Sequence, residues 1–136
     1  VVPYALGFND NNDKLYVMLA TGATDVNAVQ VYGASSYGLV LLNTASLPSG
    51  GMAGGGGVAV NPATNRVFVT NSASNNVSIV DGDSNTVIGV QAVGQFPYGI
   101  AVNPLDGAVY VGNGLGDNLS LFYDSGVRRF VYRRVP

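Results

Sequence analysis

Polar side chains that could bind a ligand are concentrated in three short segments of the sequence, at residues 19–27, 71–76 and 113–117. Oxygen atoms of Asp and Asn suit a sugar or a calcium ion. The candidate ligand contacts are Asp25, Asn71, Asn75, Asn113 and Asp117. The alternative interpretation is that Asn and Asp occur there because they form turns well.

The residue types that the chain lacks exclude most catalytic chemistry. It has no His, no Cys, no Trp and no Glu. Nucleophilic systems that pair Ser or Cys with His therefore cannot be built from this chain alone. Zinc, copper, haem and iron–sulfur sites lack their usual donors as well. We predict no catalytic residue, no metal ligand, no cofactor and no enzymatic activity.

A glycine-dense segment at residues 50–57 has the composition of a phosphate cradle. It lacks the Lys-Ser/Thr ending of a P-loop, and no strand-to-helix pattern surrounds it. We interpret it as a flexible connection between two structural units.

Four of the six basic residues lie close together near the end of the sequence. They are Arg128, Arg129, Arg133 and Arg134. Their interleaving with aromatic residues would suit nucleic acid, but the net charge of −2 provides no strong attracting field. We favour an edge strand protected by charge, or a contact with acidic loops of another subunit. No nucleic-acid partner is predicted.

Two triplets match the acceptor pattern for N-glycosylation, and they begin at Asn76 and Asn118. They occupy equivalent positions of a repeat, so the repeat itself can account for both. Glycan on either residue is expected only if the protein is exported from an archaeal or eukaryotic cell.

The elements that position these residues are revealed by an internal repeat. Residues 57–71, GVAVNPATNRVFVTN, recur 42 positions later as GIAVNPLDGAVYVGN at residues 99–113. A weaker copy, PYALGFNDNNDKLYV, occupies residues 3–17. A repeat of this length indicates a stack of similar units.

Each copy contains four short segments with the two-residue alternation of a β-strand. In the middle copy these segments are 57–61, 66–70, 77–81 and 86–93. Four antiparallel strands in every ~40–50 residues are typical of a β-propeller blade. We therefore predict an all-β fold of three four-stranded antiparallel blades, without helices.

The middle copy also resembles a known family of repeats. VAVNPATNRVFVTN, followed by NVSIVDGDSNTV, is similar to the YVTN-type propeller repeat, and residues 97–102 resemble the first strand of the related NHL-type repeat. The first copy departs from this pattern, with Asp10 in place of Pro. The resemblance implies a propeller domain of a cell-surface, surface-layer or periplasmic protein that binds or scaffolds other molecules. It brings no catalytic residues.

Three blades do not complete a ring, because closed propellers have about 4–8 blades. We predict a single partial propeller domain at residues 1–136, with blades at about 1–48, 49–95 and 96–136. The outward faces of the first and third blades would be apolar and uncovered. Either the chain pairs with itself to close a six-bladed ring, or the remaining blades come from other chains or from a longer parent. No uninterrupted apolar run in the sequence is long enough for a membrane span.

These observations favour a non-enzymatic structural or scaffolding protein, secreted or at the cell surface, that assembles through its blade faces. One alternative is a propeller that binds a ligand or glycan with its end loops. Another is a fragment of a propeller hydrolase, whose catalytic groups would then come from other blades.

Overall fold

A computed structural model describes residues 2–20, 28–47 and 56–124, together with the backbone of 131–134. Within these residues the chain is all-β and forms three four-stranded antiparallel sheets, each with its strands in sequence order. The three sheets are blades of a partial β-propeller. The strands are β1 (Val2–Asn9), β2 (Lys14–Ala20), β3 (Ala28–Ser35), β4 (Gly38–Ser46), β5 (Val58–Asn61), β6 (Arg66–Asn71), β7 (Asn76–Asp81), β8 (Thr86–Ala92), β9 (Pro97–Asn103), β10 (Ala108–Asn113), β11 (Asn118–Tyr123) and β12 (Val131–Arg134).

The strands of the middle blade begin and end within one residue of the predicted positions. Their boundaries follow from local turn chemistry: Asn61 accepts a hydrogen bond from the backbone N–H of Ala63, and Asn65 adopts a left-handed φ of 54°. The only helix in the described part of the chain is a single 3₁₀ turn at Ser72–Ser74. No described helix is therefore long and apolar enough to cross a membrane.

The innermost strands β1, β5 and β9 lie side by side, as the inner strands of a propeller do. Small residues allow this close approach. A Cβ atom added to Gly57 would lie only 2.8 Å from the carbonyl oxygen of Tyr98, on the neighbouring blade. A larger residue at position 57 would therefore push the first strands of two blades apart.

The core consists of two layers of side chains, one at each junction between blades. Each blade has a forward face, which is turned toward the next blade in chain order, and a rear face. Three residues paired directly across the strands mark each forward face: Gly7, Tyr16 and Val31 in blade one; Ala59, Phe68 and Ile79 in blade two; Ala101, Tyr110 and Leu121 in blade three.

The rear faces are marked in the same way. Their central rows are Phe8, Leu15 and Tyr32 in blade one; Val60, Val67 and Val80 in blade two; Val102, Val109 and Phe122 in blade three. Tyr16 packs with Val67 and Val80 in one apolar cluster, and Phe68 packs with Val109 and Phe122 in the other. Forward faces thus pack on rear faces at both junctions within the chain.

Burial of Tyr16 has a consequence for pH dependence. Its side chain is completely buried, and burial raises the pKa of its phenol above the usual value of about 10, although the Asn12 side chain acts in the opposite direction. A raised pKa favours folding below pH ~10, and this contribution is lost as the pH rises through the folded-state pKa.

We expect Tyr16→Phe to fold, because Phe68 fills the equivalent position of the next blade. Relative to the parent chain, the variant should lose less stability between pH 9 and pH ~11. Urea unfolding midpoints of both chains at several alkaline pH values measure this difference. Equal losses in the two chains would show that Tyr16 ionisation is not linked to unfolding.

Candidate functional site

The two uncovered blade faces expose large apolar side chains. On the forward face of blade three, Tyr110 is 44% exposed, whereas its equivalents Tyr16 and Phe68 are 0% exposed. Leu119 is 42% exposed, and its equivalent in blade two, Val77, is fully buried. The same side-chain positions are therefore core in two blades and surface in the third.

The rear face of blade one is the second uncovered surface. Leu6 and Phe8 are 62% and 50% exposed, whereas their equivalents Val58 and Val60 are partly buried against the first apolar cluster. Leu15 lies directly between Phe8 and Tyr32 in the cross-strand row. This face is thus at least as apolar as the rear faces that the other two blades bury.

The predicted ligand contacts of the end loops occupy two different environments. Asn71 and Asn113 are buried at the ends of β6 and β10. The Asn71 amide donates to Asn76 Oδ1 (2.7 Å) and Ser78 Oγ (2.8 Å), and that of Asn113 makes the equivalent bonds within blade three. Both side chains therefore hold their own blade together.

Asn75 and Asp117 are exposed equivalents with left-handed φ angles of 54° and 51°. Asn75 Oδ1 accepts a bond from the backbone N–H of Phe96 at 2.8 Å, which joins this loop to the β8–β9 connection. Asp25 lies outside the described residues, so ligand binding by the full predicted set stays a prediction. In the parts of the chain that the structure describes, no three Asp side chains are grouped closely enough to hold a metal ion.

The two predicted glycosylation triplets have the same geometry. The side chains of Asn76 and Asn118 accept bonds from Asn71 and Asn113, and Ser78 and Ser120 are completely buried. These bonds use the side-chain oxygens of Asn76 and Asn118 and leave their amide nitrogens, the atoms that would carry glycan, outside the contact. The modification itself stays a prediction.

The basic residues near the end of the sequence are only partly described. Arg133 and Arg134 lie on β12, opposite Leu119 and Asn118 of β11. Arg128 and Arg129 lie outside the described residues, and so does the glycine-dense segment apart from Gly56 and Gly57. The predicted subunit contact through these arginines stays a prediction.

A polar clamp at each internal junction escaped the sequence analysis. Lys14 begins β2, and its ammonium group donates to the carbonyl oxygen of Gly82 and to Asn85 Oδ1 (2.9 Å) on blade two. Arg66 begins β6 and donates to the carbonyl oxygen (2.7 Å) and carboxylate (2.8 Å) of Asp124 on blade three. The sequence did contain a signal for these clamps, because two copies of the repeat have a basic residue at the first position of the second strand. The third copy has Ala108 at this position.

The Asp124 carboxylate accepts hydrogen bonds from three side chains of blade two. Its carboxylate side chain is 1% exposed and accepts from Arg66, from the Asn61 amide at 2.8 Å and from the Thr64 hydroxyl. A buried carboxylate is stable only with such partners. This contact fixes the position of blade three on blade two.

A cleft of about 240 Å³ lies between blades two and three, with Arg66 and Asp124 among its lining residues. The rest of its wall is mixed, with apolar side chains such as Ile79 and Phe122 beside the polar groups of Gln91 and Tyr123. Since Arg66 and Asp124 are already paired with each other, the cleft offers no unpaired charge for a ligand.

Comparison with known proteins gives the fold but no family. No model of a known protein family and no curated protein matches the sequence. Two similar structures are hydrazine synthase of Kuenenia stuttgartiensis (21% identity, TM-score 0.76, 96% of this chain and 36% of that chain) and a protein from Lactobacillus plantarum (16%, 0.76, 98% and 42%). A chain of the nidogen/laminin complex is also similar (16% identity, TM-score 0.69, 96% of this chain and 47% of that chain).

These structures are β-propellers, and their functions differ. The chain described here spans less than half the length of each of the three. The predicted β-propeller fold is confirmed, whereas membership of the YVTN-type family stays a prediction. This chain is a partial β-propeller of three blades, which leaves two blade faces for other blades to cover.

Proposed function

We propose that this chain is a non-enzymatic structural or scaffolding component, secreted or at the cell surface, that assembles through its uncovered blade faces. The observation that carries the proposal is the contrast in exposure between Tyr110 and its buried equivalents Tyr16 and Phe68. This side-chain position forms the core at both internal junctions, so it can also form the core at a junction with a further blade.

The chemistry of the described side chains supports a binding role over catalysis. The most buried carboxylate among them, that of Asp124, accepts hydrogen bonds from Arg66, Asn61 and Thr64 and so serves the contact between two blades. The chain contains no His, Cys or Glu to replace it. A non-enzymatic role agrees with this inventory.

An exterior location is supported by the resemblance to the YVTN-type repeat and by the composition. Only 10% of the residues are charged. The proposed location is a separate claim from assembly and is tested separately, by fractionating cells of the source organism with an antibody against the chain. Recovery only in the cytosolic fraction would contradict it.

Assembly is tested by sedimentation equilibrium of the 136-residue chain over a dilution series. We expect the average mass to rise from 14.0 kDa to at least twice that value with increasing concentration, because exposed blade faces should lose their water contact on association. A folded monomer at every concentration, with native circular dichroism, would contradict the proposed assembly.

A further inference from the structure

We infer that the forward face of blade three packs on the rear face of blade one of a second copy, so that two chains close a six-bladed ring. This inference rests on the proposed function and names the partner and the contact residues. The ring would contain two identical junctions related by a two-fold axis. Six blades lie within the usual range of about 4–8 for closed propellers.

The apolar part of this junction is already present twice within the chain. Phe68 and Phe122 meet edge to face across the junction between blades two and three, with ring centroids 5.8 Å apart. The equivalent residues at the new junction are Tyr110 and Tyr32 of the second copy. An aromatic pair therefore recurs at this contact. Tyr110 lies at the centre of its cross-strand row, and Tyr32 is paired directly with Leu15, the centre of the other row.

The surrounding side chains are matched in the same way. At the first junction Tyr16 packs on Val60 and Val67 of blade two. At the second junction Phe68 packs on Val102 and Val109 of blade three. Blade one presents Phe8 and Leu15 at these two positions. The rear surface that Tyr110 requires is thus carried by this chain itself, and a second copy can supply it.

A polar contact at the new junction follows from the same equivalence. The side-chain amide of Asn9 donates to Asn65 Oδ1 on blade two at 2.9 Å. The equivalents of these residues are Asn103 and, in the second copy, Asp13, whose φ of 51° is nearly that of Asn65. Asn103 Oδ1 accepts from the N–H of Leu105, just as Asn9 Oδ1 accepts from the N–H of Asn11. Its amide therefore points to the Asp13 carboxylate as its acceptor.

The new junction lacks the basic clamp, because Ala108 takes the place of Lys14 and Arg66. It also contains one poorly matched pair of residues, which provides a sensitive test. Asn12 donates to Asn65 Oδ1 at 2.8 Å across the first junction. The equivalent of Asn12 is Asp106, which would face Asp13 of the second copy, so two carboxylates would come close together. Asp106→Asn restores the donor and keeps an oxygen for its bond to the Ala108 N–H, which is 2.9 Å long in the parent.

The test measures dimer dissociation constants by sedimentation for the parent chain and three variants. Tyr110→Asp should weaken dimerisation at least about 100-fold, because it places a charge in the centre of both junctions. Ile88→Asp is the matched control, since Ile88 is 52% exposed on β8 of the middle blade, away from both uncovered faces, and it should leave the constant unchanged. Asp106→Asn should tighten dimerisation about tenfold or more, because a charge-assisted hydrogen bond replaces a repulsion.

The outcomes separate this inference from the proposed function. Association that is insensitive to Tyr110→Asp and Asp106→Asn would overturn the inferred junction while leaving assembly through some other surface intact. A parent chain that stays a folded monomer would overturn both. If both variants respond as expected and Ile88→Asp does not, the junction between blade three and the blade one of a second copy is established.

Discussion

Replacing Phe68 with alanine should lower the free energy of unfolding by about 3–5 kcal/mol, the usual cost of removing a large aromatic side chain from a core. Phe68 is completely buried and packs on Val109 and Phe122 of the next blade. Urea unfolding, monitored by circular dichroism on dilute protein, measures the change. Because whole domains are stable by only about 5–15 kcal/mol, the variant should be close to unfolding.

Tyr110→Ala is the matched control, because Tyr110 occupies the equivalent position in blade three and is 44% exposed. In dilute monomeric protein it should cost less than about 1 kcal/mol, as expected of surface sites. If Tyr110→Ala destabilised the monomer as much as Phe68→Ala, another part of the same chain would have to cover the forward face of blade three.

Replacing Asp124 with alanine should lower the free energy of unfolding by about 2–4 kcal/mol. The substitution leaves the buried Asn61 amide and the Thr64 hydroxyl without an acceptor and removes the carboxylate partner of Arg66. Removing one partner of a fully buried ion pair usually costs about 3–5 kcal/mol. The expected cost is lower here because the Arg66 side chain is 37% exposed and can be solvated. The same urea unfolding experiment measures it.

Asp10→Ala is a suitable control for this variant, because Asp10 is exposed in the β1–β2 turn. Its replacement should change the unfolding free energy by less than about 0.5 kcal/mol. Equal effects at the two positions would mean that Asp124 does not join blades two and three as described.

The strands of this fold could be predicted from the sequence because their signals are local. The Asn-Pro turn after β5 and the alternation in β6 each depend on residues a few positions apart. Comparison of the copies then identified Tyr16, Phe68 and Tyr110 as equivalent residues. Tyr110 differs from the other two in exposure because it lies on the third blade, which no further blade of the described chain covers. The number of repeat copies in the sequence already indicated three blades.

The end loops show where local reasoning fails. Asn71 and Asn75 are the same residue type four positions apart, and both were candidates for ligand contact. In the fold, Asn71 is the last residue of a buried strand and bonds to Ser78, whereas Asn75 is an exposed turn residue. Residue type alone does not distinguish these environments, because burial depends on the neighbouring strand and blade.

The clamps were missed for a related reason. Arg66 and Asp124 are 58 residues apart, and their contact becomes visible only when blade three is placed on blade two. A comparison of equivalent positions would have shown Lys14 and Arg66 at the start of the second strand in two copies. It would not have identified the acceptors, two of which are backbone carbonyl groups.

The central claim is that two blade faces of this chain are uncovered until other blades pack on them. Hydroxyl-radical footprinting of the unmodified chain tests it most directly, because it compares equivalent tyrosines within one molecule. In dilute protein we expect Tyr110 to be oxidised readily and Tyr16 to be protected, and in concentrated protein we expect Tyr110 to become protected as well. Strong protection of Tyr110 in dilute protein that sediments as a monomer, or equal oxidation of Tyr16 and Tyr110, would contradict the account.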